Sequence, residues 1–258
     1  MCPKLQNSID LSIFETNTDY SNFDSMCTVT FLPLKNSGFI LTSNRDETPL
    51  RETISPKKYE ENGIEMVFPK DRLAGGTWIG TSSKNRLVCV LNGAFTKHKR
   101  TTSYKKSRGI IAKEILKSDN LETYIHALDL SSIEPFTMVL VDWNNDNLNV
   151  FELIWDAHKK YFTKLQNEPK IWSSSTLYTD EFKEIRQNWF VKWFSDTEFT
   201  SKSILDFHHS EIGAKEQSIL MKRLNVETIS ITSVKKEDTI IEMLYEDVVH
   251  LKKSTLTY

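Results

Sequence analysis

The sequence predicts an α+β layered fold running from Cys27 onward. Three observations carry that prediction. Strand-length apolar runs recur along the chain, many with a period of two, and turn residues separate several of them at hairpin distance. Helical periodicity interrupts them only midway and near the end. At 258 residues the chain can bury the core of one large domain, and neither an internal repeat nor a low-complexity linker divides it. Its 39% hydrophobic and 26% charged content is that of a soluble globular protein, and no apolar run approaches the roughly 18 residues of a membrane span.

Taken in order, the elements begin with "CTVTFLPL" and "GFILTSNRD", joined by the turn residues Lys35 to Gly38, which predict a β-hairpin. Strands are expected at "EMVFP", "GTWIGTS" and "RLVCVLN", separated by "KDRLAGG" and "SKN". A helix is expected in "SRGIIAKEILKS". Another should follow a capping box formed by Asp119 and Glu122 and carry Leu121, Tyr124, Ile125 and Leu128. "FTMVLVDW" and "LNVFELIW" flank the turn Asn144 to Asn147 and make the clearest hairpin. "DEFKEIRQNWFVKWF" places Phe182, Ile185, Trp189, Phe190, Trp193 and Phe194 on one broad helical face that should pack into the core. A last helix is expected around "AKEQSILMKRL", followed by strands at "VETISITSV" and "TIIEMLYEDVV".

Charge and cysteine usage narrow the partners. The net charge of −2 points to none, and the basic stretch Lys97 to Arg108 lacks the interleaved aromatics of a strand binder, so no nucleic acid is expected. Cys2, Cys27 and Cys89 form a sparse set without CxxC spacing, which argues against a disulfide framework or a zinc site and for a reducing compartment. Cys89, inside an apolar run, is expected to be buried. Residues 1–26 lack the pattern of a secretory signal and carry one Lys against four Asp/Glu, which predicts a poorly ordered extension in a cytoplasmic protein.

Three clusters offer chemistry: Cys27 at a strand start, Thr42 to Glu47 ending the next strand, and Gly75 to Gly80. Pairing the first two strands as a hairpin brings Arg45 and Asp46 near Cys27. If Cys27 were the first residue, its α-amine would be a built-in base beside the thiol. Arg45 would favour the thiolate, and Asp46 would orient the amine. Asn92, with the backbone N–H of Gly93 beside it, is the candidate donor to an oxyanion. Trp78 is a candidate pocket wall, with core packing as the alternative.

"MCTVTF", "TSNRDE", "GGTWIG" and "VLNGAF", in this order, resemble the NRDE family, also called the transport and Golgi organisation family. The resemblance implies a four-layer αββα sandwich of two mainly antiparallel sheets, like that of the N-terminal-nucleophile acylases. It makes Cys27 the nucleophile, with Arg45, Asp46 and Asn92 as its catalytic companions. Asn44, Trp78, Gly93 and Ser175 are expected to bind substrate, with Ser175 standing where the acylases have an amide side chain. No metal or cofactor is implied. Family chains start at the Met-Cys pair, so Met26 is expected to be the true initiator and residues 27–258 the domain. Removal of a propeptide, or a retained extension that disables Cys27, are the alternatives.

Two activities therefore stand side by side: a cysteine amide or thioester hydrolase or acyltransferase acting on a small, partly hydrophobic substrate, and a non-catalytic carrier of haem or an acyl-lipid. For the second, His98, His126, His158, His208, His209 and His250 are nominal ligands only, since no pair has a spaced partner.

Overall fold

The first hairpin sets the frame of the molecule. In the computed structural model, which describes residues 26–98, 101, 103–144, 147–175 and 179–258, β1 (Met26–Pro33) and β2 (Phe39–Glu47) pair antiparallel from Met26↔Asp46 to Pro33↔Phe39. The turn between them takes positive φ at Asn36 and Ser37. The extension preceding Met26 lies outside the described residues.

Alternation then sorts the side chains. Val29 and Phe31 of β1 and Phe39 and Leu41 of β2 enter one core, whereas Leu32 and Ile40 enter another on the opposite face. The same split occurs in β6 (Arg86–Asn92), where Leu87, Cys89 and Leu91 face inward and Val88 and Val90 face helices. Strands covered on both faces lose the exposed polar half of the alternation, so β6 reads as a continuous apolar run while β1 keeps only the buried Thr28 and Thr30 between its apolar residues.

Two sheets result, with antiparallel pairing throughout. One has the order β10-β1-β2-β11-β12-β13, with β10 (Lys170–Ser173), β11 (Glu227–Glu237), β12 (Ile240–Asp247) and β13 (Lys252–Thr257). The other runs β3-β4-β5-β6-β7-β8-β9, with β3 (Thr53–Glu61), β4 (Ile64–Asp71), β5 (Ile79–Ser82), β7 (Phe136–Asn144), β8 (Asn147–Trp155) and β9 (Lys160–Leu165). They sandwich a core that includes Val29, Phe31, Leu87, Cys89, Val139, Val141, Val234 and Met243. Helices α1 (Arg108–Lys117) and α2 (Leu121–Ala127) cover the outer face of the second sheet through Ile111, Ile115, Leu121 and Ile125. Helices α3 (Asp180–Asp196) and α4 (Ser201–His208) cover the first through Phe190, Ile204 and Phe207. The layers are therefore α, β, β, α. No helix among the described residues is long and apolar enough to cross a membrane.

The expected central strands are all present, and four strands that the sequence did not announce are the edges: β3, β9, β10 and β13. Edges carry Lys, Glu and Pro on half-solvated faces, which erases the apolar alternation. In β3, "TISPKKYEE" even shifts register between Ile54 and Lys57.

Two helical expectations are corrected. The cap of α2 is Asn120, whose side chain accepts from the Thr123 N–H at 2.9 Å. Asp119 ion-pairs with Lys84 instead. The stretch Ala214 to Leu224 is not helical, and the carbonyls at its middle, Gln217 to Ile219, are taken by side chains from outside it. Asn44 Nδ2 donates to Ile219 O at 2.9 Å, and Arg186 donates to Ser218 O. The helix of this region is α4, just upstream. Along α3 the aromatic stripe is only partly core: Phe190 is fully buried against Phe207, Trp189 and Trp193 are half-buried, and Arg186 is buried beside them.

Candidate active site

Cys27 and Arg45 are direct cross-strand partners on the sandwich-facing side of β1 and β2, at the end where Arg45 of β2 also pairs with Ser230 of β11. Such partners have Cβ atoms about 5 Å apart. The thiol is 3% exposed and shares its core cluster with Trp78 and Leu91. Burial pushes its pKa well above the ordinary thiol value, with Asp46 adding to the rise, while Arg45 and Arg108 pull the other way. With Cys27 in peptide linkage, burial outweighs Arg45, so the thiolate that Arg45 was expected to favour is not the resting form.

The Arg45 guanidinium, itself buried, is fixed on all sides. Nη1 donates to Thr53 Oγ1 at 2.7 Å, Nη2 donates to Asp71 Oδ2 at 2.7 Å, and Cζ lies 4.2 Å from the centre of the Trp78 ring. Glu47 stands 3.9 Å away, and Arg51 joins by donating to the same Asp71 oxygen. Arg51 and Asp71 are thus part of the site, whereas Arg72 and Glu52 form an exposed pair outside it.

Asp46 pairs in register with Met26, the residue before Cys27. Its Oδ1 accepts from Thr228 Oγ1 at 2.6 Å, and among the described residues its buried Oδ2 has no partner. Burial raises its pKa to about 7. A bulge in β11 between Thr228 and Ser230 aligns Thr228 with Asp46 and Ser230 with Arg45. Bulges of this kind re-aim side chains, and here one supplies the Asp46 partner.

Asn92 closes β6, half-buried. Ser174 ties it to Cys27: the Ser174 N–H donates to Cys27 O at 3.1 Å while its hydroxyl donates to Asn92 O. The Gly93 N–H, expected beside Asn92 as an oxyanion donor, donates instead to Pro135 O at 3.1 Å. The Ser175 hydroxyl donates to Ala94 O. Thr176 to Tyr178, the rest of that motif, lie outside the described residues.

Asn44 sits on the opposite face of β2. Its amide donates to His208 O and Ile219 O, and its Oδ1 bonds His208 Nδ1 at 2.7 Å, while His208 Nε2 meets Thr30 Oγ1. Asn44 therefore anchors α4 beneath the site rather than facing Cys27. Burial holds His208 neutral, with its pKa lowered to about 3. Of the other histidines, His209 pairs with Glu246, His250 with Asp247 and His98 with Glu134. In the basic stretch Lys106 meets Glu114 and Arg108 meets Glu134, while residues 99, 100 and 102 lie outside the described residues.

Sequence reading missed Asp71, Thr53, Thr228 and Ser174 as parts of the site, whereas Glu47 lies in the Thr42 to Glu47 cluster it singled out.

The layer order and topology define the class: this is the fold of the N-terminal-nucleophile hydrolases. Solved structures agree. A variant of the conjugated bile acid hydrolase from Clostridium perfringens matches with a TM-score of 0.52 at 12% identity, over 89% of this chain and 92% of that one. Penicillin V acylase from Agrobacterium tumefaciens matches at 0.56 and 10% identity, over 89% and 85%. The Caenorhabditis elegans ortholog of N-acylethanolamine-hydrolyzing acid amidase matches at 0.54 and 12% identity, over 80% and 92%. The chain belongs to the Transport and Golgi organisation 2 family, whose model matches residues 26–246. No curated protein matches it.

Proposed function

We propose that this chain is an N-terminal-nucleophile cysteine hydrolase or acyltransferase. It acts on the amide or thioester bond of a small, partly hydrophobic substrate in a reducing, cytoplasmic setting, once residues 1–26 are absent and Cys27 carries a free α-amine. One observation carries the reading: beside the buried Cys27–Arg45 pair, Asp46 pairs with Met26, the residue before Cys27, and its buried Oδ2 has no partner among the described residues. A buried carboxylate oxygen is costly when unpaired, and an α-ammonium there would satisfy it.

The chemistry follows from the groups in place. The α-amine takes the thiol proton, and Arg45 stabilises the thiolate as it forms. The sulfur attacks the carbonyl carbon, and the Asn92 side-chain amide holds the resulting oxyanion. Because the Gly93 N–H is engaged by Pro135, a second donor comes from elsewhere in the site. Collapse expels the amine or thiol, protonated by the α-ammonium, and leaves an acyl-Cys27 thioester. Water or an acceptor amine then attacks that thioester and regenerates the thiol.

The test compares the full chain with a chain starting at Cys27. The shorter chain is expected to be labelled at Cys27 by an acyl-type probe and to hydrolyse an acyl amide or thioester, with Cys27→Ala abolishing both. A folded chain starting at Cys27 that neither takes the probe nor turns over any of these substrates would overturn the reading. The carrier function is favoured by one observation, the burial of the Cys27 thiol in the uncut chain, which pushes its pKa well above the ordinary value. It requires that Cys27→Ala still bind cargo, which haem titration of that variant measures.

A further inference from the structure

We propose that Asp71 is the positioning residue of the Cys27 site, holding the Arg45 guanidinium across the sandwich at the level of the thiol. The proposal rests on the reading of Cys27 as a reactive thiol. Arg45 and Cys27 are neighbours in one sheet, but Asp71 ends β4 in the other. An arginine side chain is long enough to place its head in several positions, so a cross-strand Cα pairing leaves the position of the charge open. Asp71 decides it from the opposite layer, with Thr53 of β3 holding the second edge and Trp78 the face.

The Asp71 carboxylate is fully committed. Oδ2 accepts from Arg45 Nη2 and Arg51 Nε, both at 2.7 Å. Oδ1 accepts from the Leu73 and Ala74 N–H groups at 3.0 and 2.8 Å. The Asp71 backbone closes the same loop, donating to Gly76 O and accepting from the Gly75 N–H, both at 2.9 Å. One residue thus folds the loop that delivers Trp78 and holds the cation stacked on it. An amide at this position has a single acceptor oxygen, which can serve the loop or the arginines but not both.

Removing a countercharge and removing a positioning contact have opposite signs at the thiol. If Asp71 only offset Arg45, neutralising it would leave Arg45 more positive and make Cys27 more acidic. If Asp71 positions Arg45, the guanidinium leaves the thiol and Cys27 becomes less acidic. The measurement is the iodoacetamide alkylation rate of Cys27 against pH in the full chain, read by peptide mass spectrometry with Cys89 as internal reference. Cys27 should react faster than Cys89 in the wild type. Asp71→Asn should slow Cys27 by about tenfold at pH 8, the equivalent of one pKa unit. Arg45→Ala should do the same, and the double variant should be no slower than Arg45→Ala alone. Arg72→Ala, in the same loop, should change nothing. Thr53→Val should slow Cys27 in the same direction, which keeps the test decisive if Asp71→Asn fails to fold. Faster alkylation in Asp71→Asn, additive effects in the double variant, or a wild-type Cys27 no faster than Cys89 would each overturn the proposal. Alkylation needs no hydrolysis, so a chain without turnover would sink the enzyme reading and leave this result standing.

Discussion

Asp46 and His208 lie on the same helix-facing side of β2, and each is buried away from its ordinary protonation state, in opposite senses. In the full chain Asp46 titrates near 7 against an ordinary 3.8, so the folded state keeps a proton that the unfolded chain gives up. Stability from this group is full below about pH 4 and falls as pH rises to about 7, a loss on the order of 4 kcal/mol by linkage. His208 is lowered from 6.5 to about 3, so its contribution is full above pH 6.5 and is lost as pH falls toward 3. Between about pH 6.5 and 4 the two slopes oppose each other. Asp46→Asn keeps an acceptor for Thr228 and removes one slope. It is therefore expected to be more stable than the wild type at pH 8 and to lose stability more steeply on acidification. Urea midpoints at pH 8, 6 and 4.5 measure both, and an unchanged slope would count against a desolvated Asp46. The same substitution should abolish probe labelling of a chain that starts at Cys27. The residue pair Cys27–Arg45 was legible in the sequence, because a hairpin turn of known length dictates which positions face each other. Asn44 was not, because a motif says nothing about which face of the strand each of its members takes.

At the scale of the element, close approaches and caps decide what is tolerated. Gly76 lies against the first turn of α1: a Cβ there would meet the Gly109 carbonyl carbon at 2.6 Å, a backbone atom that cannot step aside. Gly76→Ala is expected to cost about 1–3 kcal/mol, the range of overpacking, and to disturb the loop that carries Trp78. Denaturant unfolding reads the first effect and Trp78 fluorescence the second. The cap of α2 separates two neighbours that look alike in sequence. Asn120→Ala should cost about 1 kcal/mol, whereas Asp119→Ala, which loses only an exposed ion pair, should cost little. Equal losses would restore Asp119 as the cap. On α3, Phe190→Ala should cost about 3–5 kcal/mol because Phe207 and Trp193 pack on its ring. The period of α3 was plain in the sequence; that Arg186 is buried on it was not, since helical periodicity ranks residues by polarity and a hydrogen-bonded guanidinium breaks that ranking.

Across the whole molecule, stability is expected to grade from the sheet centres outward. β2 is paired on both sides, by β1 and β11, and covered on both faces, whereas β3, β9, β10 and β13 are edges. Amide hydrogen exchange should therefore be slowest in β2, β6 and β7 and fastest in the four edge strands. Uniform protection would argue that the sheets open only together. The site lies at the end of the β1–β2 hairpin, yet its cation is held from the other sheet, so sheet-to-sheet packing and Arg45 placement are coupled.

By itself, the sequence determined the central strands, the helices α1 to α3, the first hairpin and therefore the adjacency of Cys27, Arg45 and Asp46. Those features depend on local period and turn chemistry, which a short window contains. Only the tertiary structure decided the edges, the burial of Arg186 and His208, the engagement of the Gly93 N–H by Pro135, and the capture of Arg45 by Asp71. Each of these joins groups from separate segments through hydrogen bonds or desolvation, and a contact between sheets leaves no periodic trace in either partner.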